Sequence, residues 1–467
     1  MAKIINSNNN FAIDKKKFIH FCGIGGIGMS GIAHILSQKG YKVQGTDLSK
    51  PNYITKQLIQ SGIKMFNKHE AKNITKDTGL IIHTTAVDLK KNPEIIEAKK
   101  KKIQIVHRSM ALFYIMKNCH NIVITGAHGK TTTTSIIGYV LDQCKKNPTI
   151  IVGGYMNNYN LNTRIGSDLL VAEGDESDGS FLNLSSDISV VTNIDNEHMS
   201  HYKNMRNMLT SYTKFISNTK KLCILCQDDK DLAKIKKKLE KKQKIITYGF
   251  SKNSDYQIIK AEYKKSFLEI EIKKNDEIYK LKSNLIGKHN AKNIAACFAL
   301  CDSMKINTKN ITKAIKTFTG VKRRFSKIGT FNNALIIDDY AHHPTEIDSV
   351  LNSINDFMPD KKTRKIYIFQ PHRYSRTHEL FEELSTSLSK CDDLIINPIY
   401  AASEKNTYKI SSEKLIQNIK KYNKKIRIQL ADLDEIKNIL KSMNLSKNDI
   451  IIFMGAGDIS NFAYKLF

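Results

Sequence analysis

The sequence contains no tryptophan, and its 467 residues include only eight cysteines and seven prolines. Eight cysteines are too few for a disulfide-stapled scaffold in a chain of this length, so a reducing compartment is expected. Cys223 and Cys226 form the sole CxxC pair, and no histidine cluster lies near them in the sequence. This pattern favours buried thiols in a strand over a zinc or redox site.

Long apolar runs are also missing from the sequence. No stretch reaches the roughly 18 consecutive apolar residues that indicate a membrane span. Residues 1–17 lack the apolar core of a secretory signal. We therefore expect a cytoplasmic protein with no membrane partner.

Acidic residues are scarce. The chain has 45 of them and 74 basic residues, which gives a formal net charge of +29. Such an excess favours nucleic-acid binding when it is concentrated in patches. Here only nine of the basic residues are arginine, and the lysines are scattered along the chain. Scattered lysines are typical of a solvated surface, so we expect no nucleic-acid partner. Tight and strongly salt-dependent binding to DNA or RNA would contradict this expectation.

The length of the chain corresponds to about three domains of ordinary size. Three segments begin with an apolar strand pattern that runs into a loop of glycines or polar residues, which predicts three α/β units. The predicted domains are residues 1–117, 118–321 and 322–467. Predicted strands cover residues 18–22, 41–43, 80–82, 103–106, 121–124, 168–172, 188–192, 334–337, 365–369, 393–396 and 450–453, with an antiparallel ribbon between about 250 and 285.

The most specific motif is a glycine-lysine loop between a predicted strand and a threonine-rich helix start. Its glycines allow backbone N–H groups to turn inward and bind phosphate oxygens. Its lysine can reach the terminal phosphates of a nucleotide, and its first threonine can offer a hydroxyl to Mg²⁺. The loop is shorter than the general P-loop pattern and comprises Gly126, Ala127, His128, Gly129, Lys130, Thr131 and Thr132.

Mg²⁺ bound to phosphates requires hard oxygen ligands on neighbouring loops. Glu173 follows one predicted strand and His198 follows the next, and parallel strands deliver such residues to one edge of a sheet. We therefore predict Thr131, Glu173 and His198 as metal ligands. Three further carboxylates crowd residues 175–178, and the spacing does not decide which carboxylate reaches the metal.

A second glycine loop follows the first predicted strand. Gly23, Gly25 and Gly28 lie there, and Asp47 is nineteen residues beyond Gly28. Taken alone, this spacing predicts an NAD-dependent oxidoreductase. A UDP diphosphate presents the same chemistry to a helix N-terminus, so this loop cannot separate the two ligands. The glycine-lysine loop at residues 126–132, called the lysine loop below, decides between the two ligands, because an enzyme that transfers hydride has no use for a Mg²⁺-ATP site.

Arginine is concentrated in the last third of the chain, where two histidines are also adjacent. Four of the nine arginines fall within residues 323–324 and 373–376. Guanidinium groups bind carboxylates and phosphates in a planar, bidentate manner that lysine cannot match. His342 and His343 are adjacent and point to different sides, so one of the pair is expected to be structural.

Taken in order along the chain, these motifs resemble the Mur ligases, the ATP-dependent amide-forming enzymes of peptidoglycan synthesis. The resemblance covers nearly the whole chain. It implies an α/β protein of three domains: a Rossmann-like N-terminal domain, a central mononucleotide-binding domain of P-loop type, and a Rossmann-like C-terminal domain. The matching strings are residues 23–31, 126–132, 173–178, 287–290 with Asn293, 320–325, 338–346 and 370–377.

The resemblance also implies residue roles. ATP would be bound by the lysine loop together with Asn290, Asn293, Arg324 and Asp339. Substrate would be bound by Gly23, Gly25, Gly26, Gly28, Met29, Ser30 and His372. Catalysis would involve Lys130, His198, His343, Arg373 and Arg376.

Within the family, the residues at 29–31 and 339–346 resemble members that join L-alanine to the carboxylate of UDP-N-acetylmuramate. That reaction proceeds through an acyl phosphate and releases ADP and phosphate. Members that join a whole peptide to the same sugar nucleotide remain the alternative. We expect a monomer or a weak homodimer. Carbamylation of Lys214, a modification found in other members, is left open.

Overall fold

The computed structural model describes residues 13–49, 53–264, 267–360 and 362–466. The chain divides into two compact units. The first unit runs to Ile258 and includes Ile272–Tyr279 and Asn293–Ile315, and the second comprises Ile259–Glu271, Lys280–Lys292 and the residues from Lys316 onward. No helix in the described ranges combines the length and the apolar character that crossing a bilayer requires.

The first sheet consists of five parallel strands in the order β3-β2-β1-β4-β5. The order reverses direction between β1 and β4, and ligands of such sheets bind beside the carboxyl end of the strand at this point. The loop that begins at Gly23 follows β1 directly. The elements are β1 (Phe18–Cys22), α1 (Ile27–Gln38), β2 (Lys42–Thr46), α2 (Tyr53–Gln60), β3 (Lys64–Phe66), β4 (Thr78–His83), α3 (Pro93–Lys100), β5 (Gln104–His107) and α4 (Arg108–Met116).

The second sheet has ten strands in the order β15-β14-β13-β12-β11-β10-β6-β9-β7-β8. Its centre, from β12 to β7, is parallel, and β8 pairs antiparallel with β7. The elements are β6 (His120–Thr125), α5 (Lys130–Gln143), β7 (Thr149–Met156), β8 (Leu161–Arg164), β9 (Leu169–Glu173), β10 (Ile188–Val191), α6 (Met199–Tyr202), α7 (Met205–Ser217), β11 (Leu222–Cys226), α8 (Lys230–Leu239), β12 (Ile245–Gly249), β13 (Tyr256–Lys264), β14 (Phe267–Lys274), β15 (Glu277–Ser283), α9 (His289–Ser303) and α10 (Thr308–Thr317).

The third sheet has six strands in the order β16-β17-β21-β18-β19-β20, with only β16 antiparallel to its neighbour. The elements are β16 (Ser326–Phe331), β17 (Ala334–Asp339), α11 (Pro344–Phe357), β18 (Lys365–Phe369), α12 (Tyr374–Glu379), α13 (Phe381–Leu388), β19 (Asp393–Ile396), α14 (Ser412–Tyr422), β20 (Arg427–Leu430), α15 (Leu433–Ser442), β21 (Ile450–Met454) and α16 (Ile459–Ala463).

Burial on both faces explains why short apolar runs predicted these strands. Every residue of β21 is buried. Ile450, Ile452 and Met454 pack into one apolar cluster, whereas Ile451 and Phe453 pack into another on the opposite face. Parallel sheets covered by helices on both sides require such continuous apolar sequences. The α/β class predicted from the sequence is therefore confirmed, while the domain boundaries near 117 and 321 stay predictions.

Candidate active site

The lysine loop joins β6 to α5 and requires its two glycines. Gly126 and Gly129 have φ angles of 132° and 81°, a region that side chains rarely adopt. A Cβ atom on Gly126 would lie 2.2 Å from Oγ1 of Thr192. Helix α5 has no side-chain cap at its N-terminus. The partial positive charge of this helix end can therefore face an anion.

The ammonium of Lys130 is held at three points within the first unit. Its Nζ donates to the backbone oxygens of Gly126 (2.5 Å) and Ala127 (2.9 Å) and to Oε1 of Glu176 (2.9 Å). Burial is the largest single effect on the pKa of Lys130 and lowers it. The negative charges of Glu176, Glu173 and a neighbouring carboxylate together have a larger effect, so the pKa of Lys130 is raised. The lysine therefore carries its positive charge at neutral pH.

Two of the three predicted metal ligands lie side by side. Glu173 ends β9, and its Oε1 accepts a hydrogen bond from Oγ1 of Thr131 at 3.0 Å. Its other oxygen accepts from the backbone N–H of Gly153 at 2.8 Å. A hydroxyl and a carboxylate at this separation are both ligand types that Mg²⁺ accepts.

The third predicted ligand, His198, lies next to Glu176. Its Nε2 is 3.6 Å from Oε1 of Glu176 and 3.9 Å from Oε2 of Glu197. The ligand atoms of these three residues lie within 4.8 Å of one another. Glu176 is 1% exposed and contacts Lys130 as well. The structure thus identifies Glu176 as the central carboxylate among those that the sequence left open.

The remaining loop residues are fixed by their neighbours. The backbone N–H of His128 donates to Oδ1 of Asn193 (2.8 Å), and its Nε2 lies 2.8 Å from Oδ2 of Asp195. Asn293, expected to bind ATP, accepts a hydrogen bond from Oγ1 of Thr133 at 3.1 Å. Its amide oxygen also lies 2.9 Å from the place of a Cβ on Gly129. Thr132 is buried at the start of α5.

The first glycine loop is braced by Asp47, whose Oδ2 accepts from the backbone N–H of Gly25 at 2.7 Å. Gly26 caps α1 without a side-chain hydrogen bond, which leaves a second helix N-terminus suited to an anion. Met29 and Ser30 are both buried, and Oγ of Ser30 donates to the backbone oxygen of Ile27 at 2.9 Å. Their predicted contact with substrate stays a prediction.

In the second unit, Asp339 ends β17 and accepts hydrogen bonds from the backbone N–H groups of Phe325 (2.7 Å) and Ala341 (2.8 Å). Burial raises the pKa of Asp339 to about 7, against the opposing effect of Arg324. Arg324 lies 3.5 Å from Oε1 of Glu346. Asn290 is buried and donates to the backbone oxygen of Ile286 at 2.6 Å.

The adjacent histidines have different environments, as the sequence predicted. His343 caps α11: its Nδ1 accepts from the backbone N–H of Thr345 at 3.4 Å, and Glu346 completes a capping box. The ring of His342 lies 6.3 Å from that of His372, and burial lowers the pKa of His342 to about 3. His343, the predicted catalytic member, therefore has a structural role as the N-cap of α11, and its part in the reaction stays a prediction.

His372 and two arginines form a cluster beside the carboxyl end of β18. The ring of His372 stacks on Tyr400 at 5.5 Å, and Nη1 of Arg376 lies 3.4 Å from Nδ1 of His372. Arg373 adopts a φ of 70° immediately before α12. Burial, and then Arg376 and Arg373, lower the pKa of His372 to about 4, so its imidazole is neutral at pH 7.

The raised pKa of Asp339 predicts a pH-dependent stability. Folding raises this pKa from 3.8 to about 7, so the folded state binds more protons than the unfolded state between these values. The associated stability is present below pH 4 and is lost as the pH rises through 7. We expect the melting temperature of D339N to fall less steeply than that of the wild type over this range. Parallel melting curves across the range would contradict the shift.

Two arginines connect segments that are distant in the sequence. Nη2 of Arg323 donates to the backbone oxygens of Gly455 (2.6 Å) and Gly457 (3.2 Å). Arg108 forms an ion pair with Asp175. Arg323 belongs to the arginine pair named from the sequence, whereas Arg108 was not predicted, although the rarity of arginine in this lysine-rich chain was a signal that could have identified it.

Comparisons with known proteins agree with these arrangements. Family models match in three consecutive segments: Mur ligase family, catalytic domain (residues 18–120), Mur ligase middle domain (124–301) and Mur ligase, glutamate ligase domain (323–457). The UDP-N-acetylmuramate--L-alanine ligase of Vesicomyosocius okutanii is 41% identical over 451 residues, which is 94% of each chain. The chain belongs to the Mur ligase family.

Further members of the Mur ligase family extend the similarity. The ligase of the same name from Carboxydothermus hydrogenoformans is 37% identical over 97% of each chain. The crystal structure of the UDP-N-acetylmuramate-alanine ligase from Thermotoga maritima matches with a TM-score of 0.82 at 28% identity, over 96% of this chain and 97% of that one. A murein peptide ligase from Psychrobacter arcticus shares the fold, with a TM-score of 0.71 at 20% identity over 96% and 98%. The resemblance found in the sequence is confirmed.

Proposed function

We propose that this Mur ligase joins L-alanine to the carboxylate of UDP-N-acetylmuramate in peptidoglycan synthesis, driven by ATP. The observation that supports the use of ATP is the geometry of the lysine loop. Lys130, Gly126 and the uncapped start of α5 form a cradle for a polyphosphate, with carboxylates of the same unit around it. The choice of substrates follows the relatives that match over nearly the full chain.

The residues around this loop fit Mg²⁺. Thr131 and Glu173 supply a hydroxyl and a carboxylate in contact with each other, and Glu176, Glu197 and His198 form an adjacent group. We assign Thr131, Glu173 and His198 as the residues that hold the magnesium ions, with Thr131 and Glu173 in contact and His198 in the adjacent group. When bound, Mg²⁺ neutralises charge on the phosphate oxygens.

The chain's own groups carry the remaining chemistry. The muramate carboxylate attacks the γ-phosphate of ATP, and Lys130 stabilises the charge on the transferred phosphoryl group. Arg373 and Arg376 orient carboxylates by bidentate hydrogen bonds. The amine of L-alanine must be neutral to displace phosphate from the acyl phosphate. A histidine or the departing phosphate accepts its proton.

Other residues complete the proposed binding sites. We assign Asn290, Asn293, Arg324 and Asp339 to ATP. The loop from Gly23 to Gly28 is assigned to the diphosphate of the sugar nucleotide, because it presents an uncapped helix N-terminus. We place the enzyme in the cytoplasm as a monomer or a weak homodimer.

A coupled assay tests the proposal. Release of ADP from ATP is measured with UDP-N-acetylmuramate and, in separate reactions, L-alanine, glycine or a tripeptide. We expect turnover with L-alanine to exceed turnover with glycine and with the tripeptide. Preference for the tripeptide would identify a peptide-joining member of the family. Absence of ADP release with every acceptor would refute the proposed reaction.

A further inference from the structure

Arg108 lies against the first glycine loop. It is the first residue of α4, and its Nη1 is 2.6 Å from the place that a Cβ atom would take on Gly28. Gly28 belongs to the first turn of α1, whose N-terminus carries no side-chain cap. Any larger residue at position 28 would displace the guanidinium. Because Gly28 has no side chain, the guanidinium of Arg108 can lie beside the N-terminus of α1. This helix end itself favours anions.

The other side of the same guanidinium reaches the loop after β9. Nη2 of Arg108 forms an ion pair with Asp175. Asp175 lies between Glu173, which contacts Thr131, and Glu176, which contacts Lys130. A single side chain therefore connects the glycine loop after β1 with the carboxylates that surround the lysine loop.

The chemistry of Arg108 suits a diphosphate. A guanidinium has five N–H donors in a planar fork, and one carboxylate uses only part of them. Arg108 is also one of only nine arginines in a chain where lysine supplies most of the positive charge. A position that needed charge alone could be filled by lysine, whereas a bidentate contact with phosphate oxygens could not.

We propose that Arg108 binds the diphosphate of the sugar nucleotide and positions the loop at 173–176 through Asp175. The inference rests on the proposed function only in assigning the glycine loop to a UDP-sugar. It adds a substrate-binding residue and a link between the two nucleotide sites.

A purely structural latch would behave differently under mutation. If the ion pair only tied two loops together, removal of either partner would have the same effect. If Arg108 binds the diphosphate, R108A loses a ligand, whereas D175N keeps the guanidinium and removes a repulsive negative charge. The two variants therefore separate the alternatives.

Neighbouring contacts indicate that R108A will fold. His107 lies 3.5 Å from Asp178, and Asn183 donates to Oγ of Ser109 at 3.3 Å. These two contacts hold the start of α4 against the segment between β9 and β10 without Arg108. Arg164 provides a matched control: it pairs with Asp142 at 2.7 Å and is 25% exposed, compared with 23% for Arg108.

The test is titration calorimetry of the full chain with UDP-N-acetylmuramate and with UDP alone. We expect R108A to weaken both ligands by about tenfold or more, because a charge-assisted contact is lost. D175N should bind both at least as tightly as the wild type, R108K should show intermediate affinity, and R164A should be unchanged.

Equal weakening in R108A and D175N, or unchanged affinity in R108A, would overturn the inference. If R108A fails to fold, R108K replaces it in the test. An affinity of R108K for the two ligands that is no weaker than that of D175N would then overturn the inference. Failure of the wild type to bind UDP-N-acetylmuramate would count against the proposed function itself. Weaker binding of UDP-N-acetylmuramate but not of UDP by R108A would place Arg108 at the sugar and overturn its assignment to the diphosphate.

Discussion

K130A is expected to lower ADP and phosphate release by about 1,000-fold or more, since transfer of the γ-phosphoryl group depends on positioning and charge neutralisation. Among the described residues, no other lysine donates a hydrogen bond to the backbone oxygens of Gly126 and Ala127, so no other ammonium group can replace that of Lys130. Steady-state assays with saturating L-alanine measure the effect. Activity of K130A close to that of the wild type would refute the role of this loop.

The control for this variant follows from the burial of Glu176, whose side chain is 2% exposed. Removal of Lys130 leaves a buried carboxylate without its counter-ion, which destabilises a fold by about 3 kcal/mol. The double variant K130M/E176Q removes both charges and should recover most of this stability while remaining inactive. K234A, which breaks an exposed ion pair with Asp231, should leave both activity and stability unchanged.

Much of the fold could be predicted because its strands are buried on both faces. The apolar run at 18–22 corresponds to β1, and that at 450–453 lies within β21. The strand predicted at 41–43 is displaced, because β2 is Lys42–Thr46 and ends in the polar pair Gly45 and Thr46. Thr46 is buried, and its hydroxyl donates a hydrogen bond to Glu94, a contact distant in sequence that local apolar patterns do not reveal.

The candidate site was predictable where the backbone itself dictates the residue. Gly126 and Gly129 have φ angles that other residues rarely adopt, so their spacing was a strong signal. Which of His342 and His343 caps α11 was not predictable, because it depends on the local geometry at the start of the helix. Likewise, the central position of Glu176 arises from contacts with Lys130 and His198 that are distant in sequence.

E173Q is expected to lower kcat/KM by about 100-fold and to raise the Mg²⁺ concentration needed for half-maximal activity, because an amide is a weaker ligand than a carboxylate. The fold should tolerate the change. The amide oxygen of the new side chain can still accept from Gly153, while the hydroxyl of Thr131 can rotate to accept from the amide nitrogen. E240Q, which changes an exposed carboxylate paired with Lys236, is the matched control. Unaltered Mg²⁺ dependence in E173Q would show that Glu173 does not hold the metal, whereas a loss of activity that excess Mg²⁺ partly restores would support the assignment.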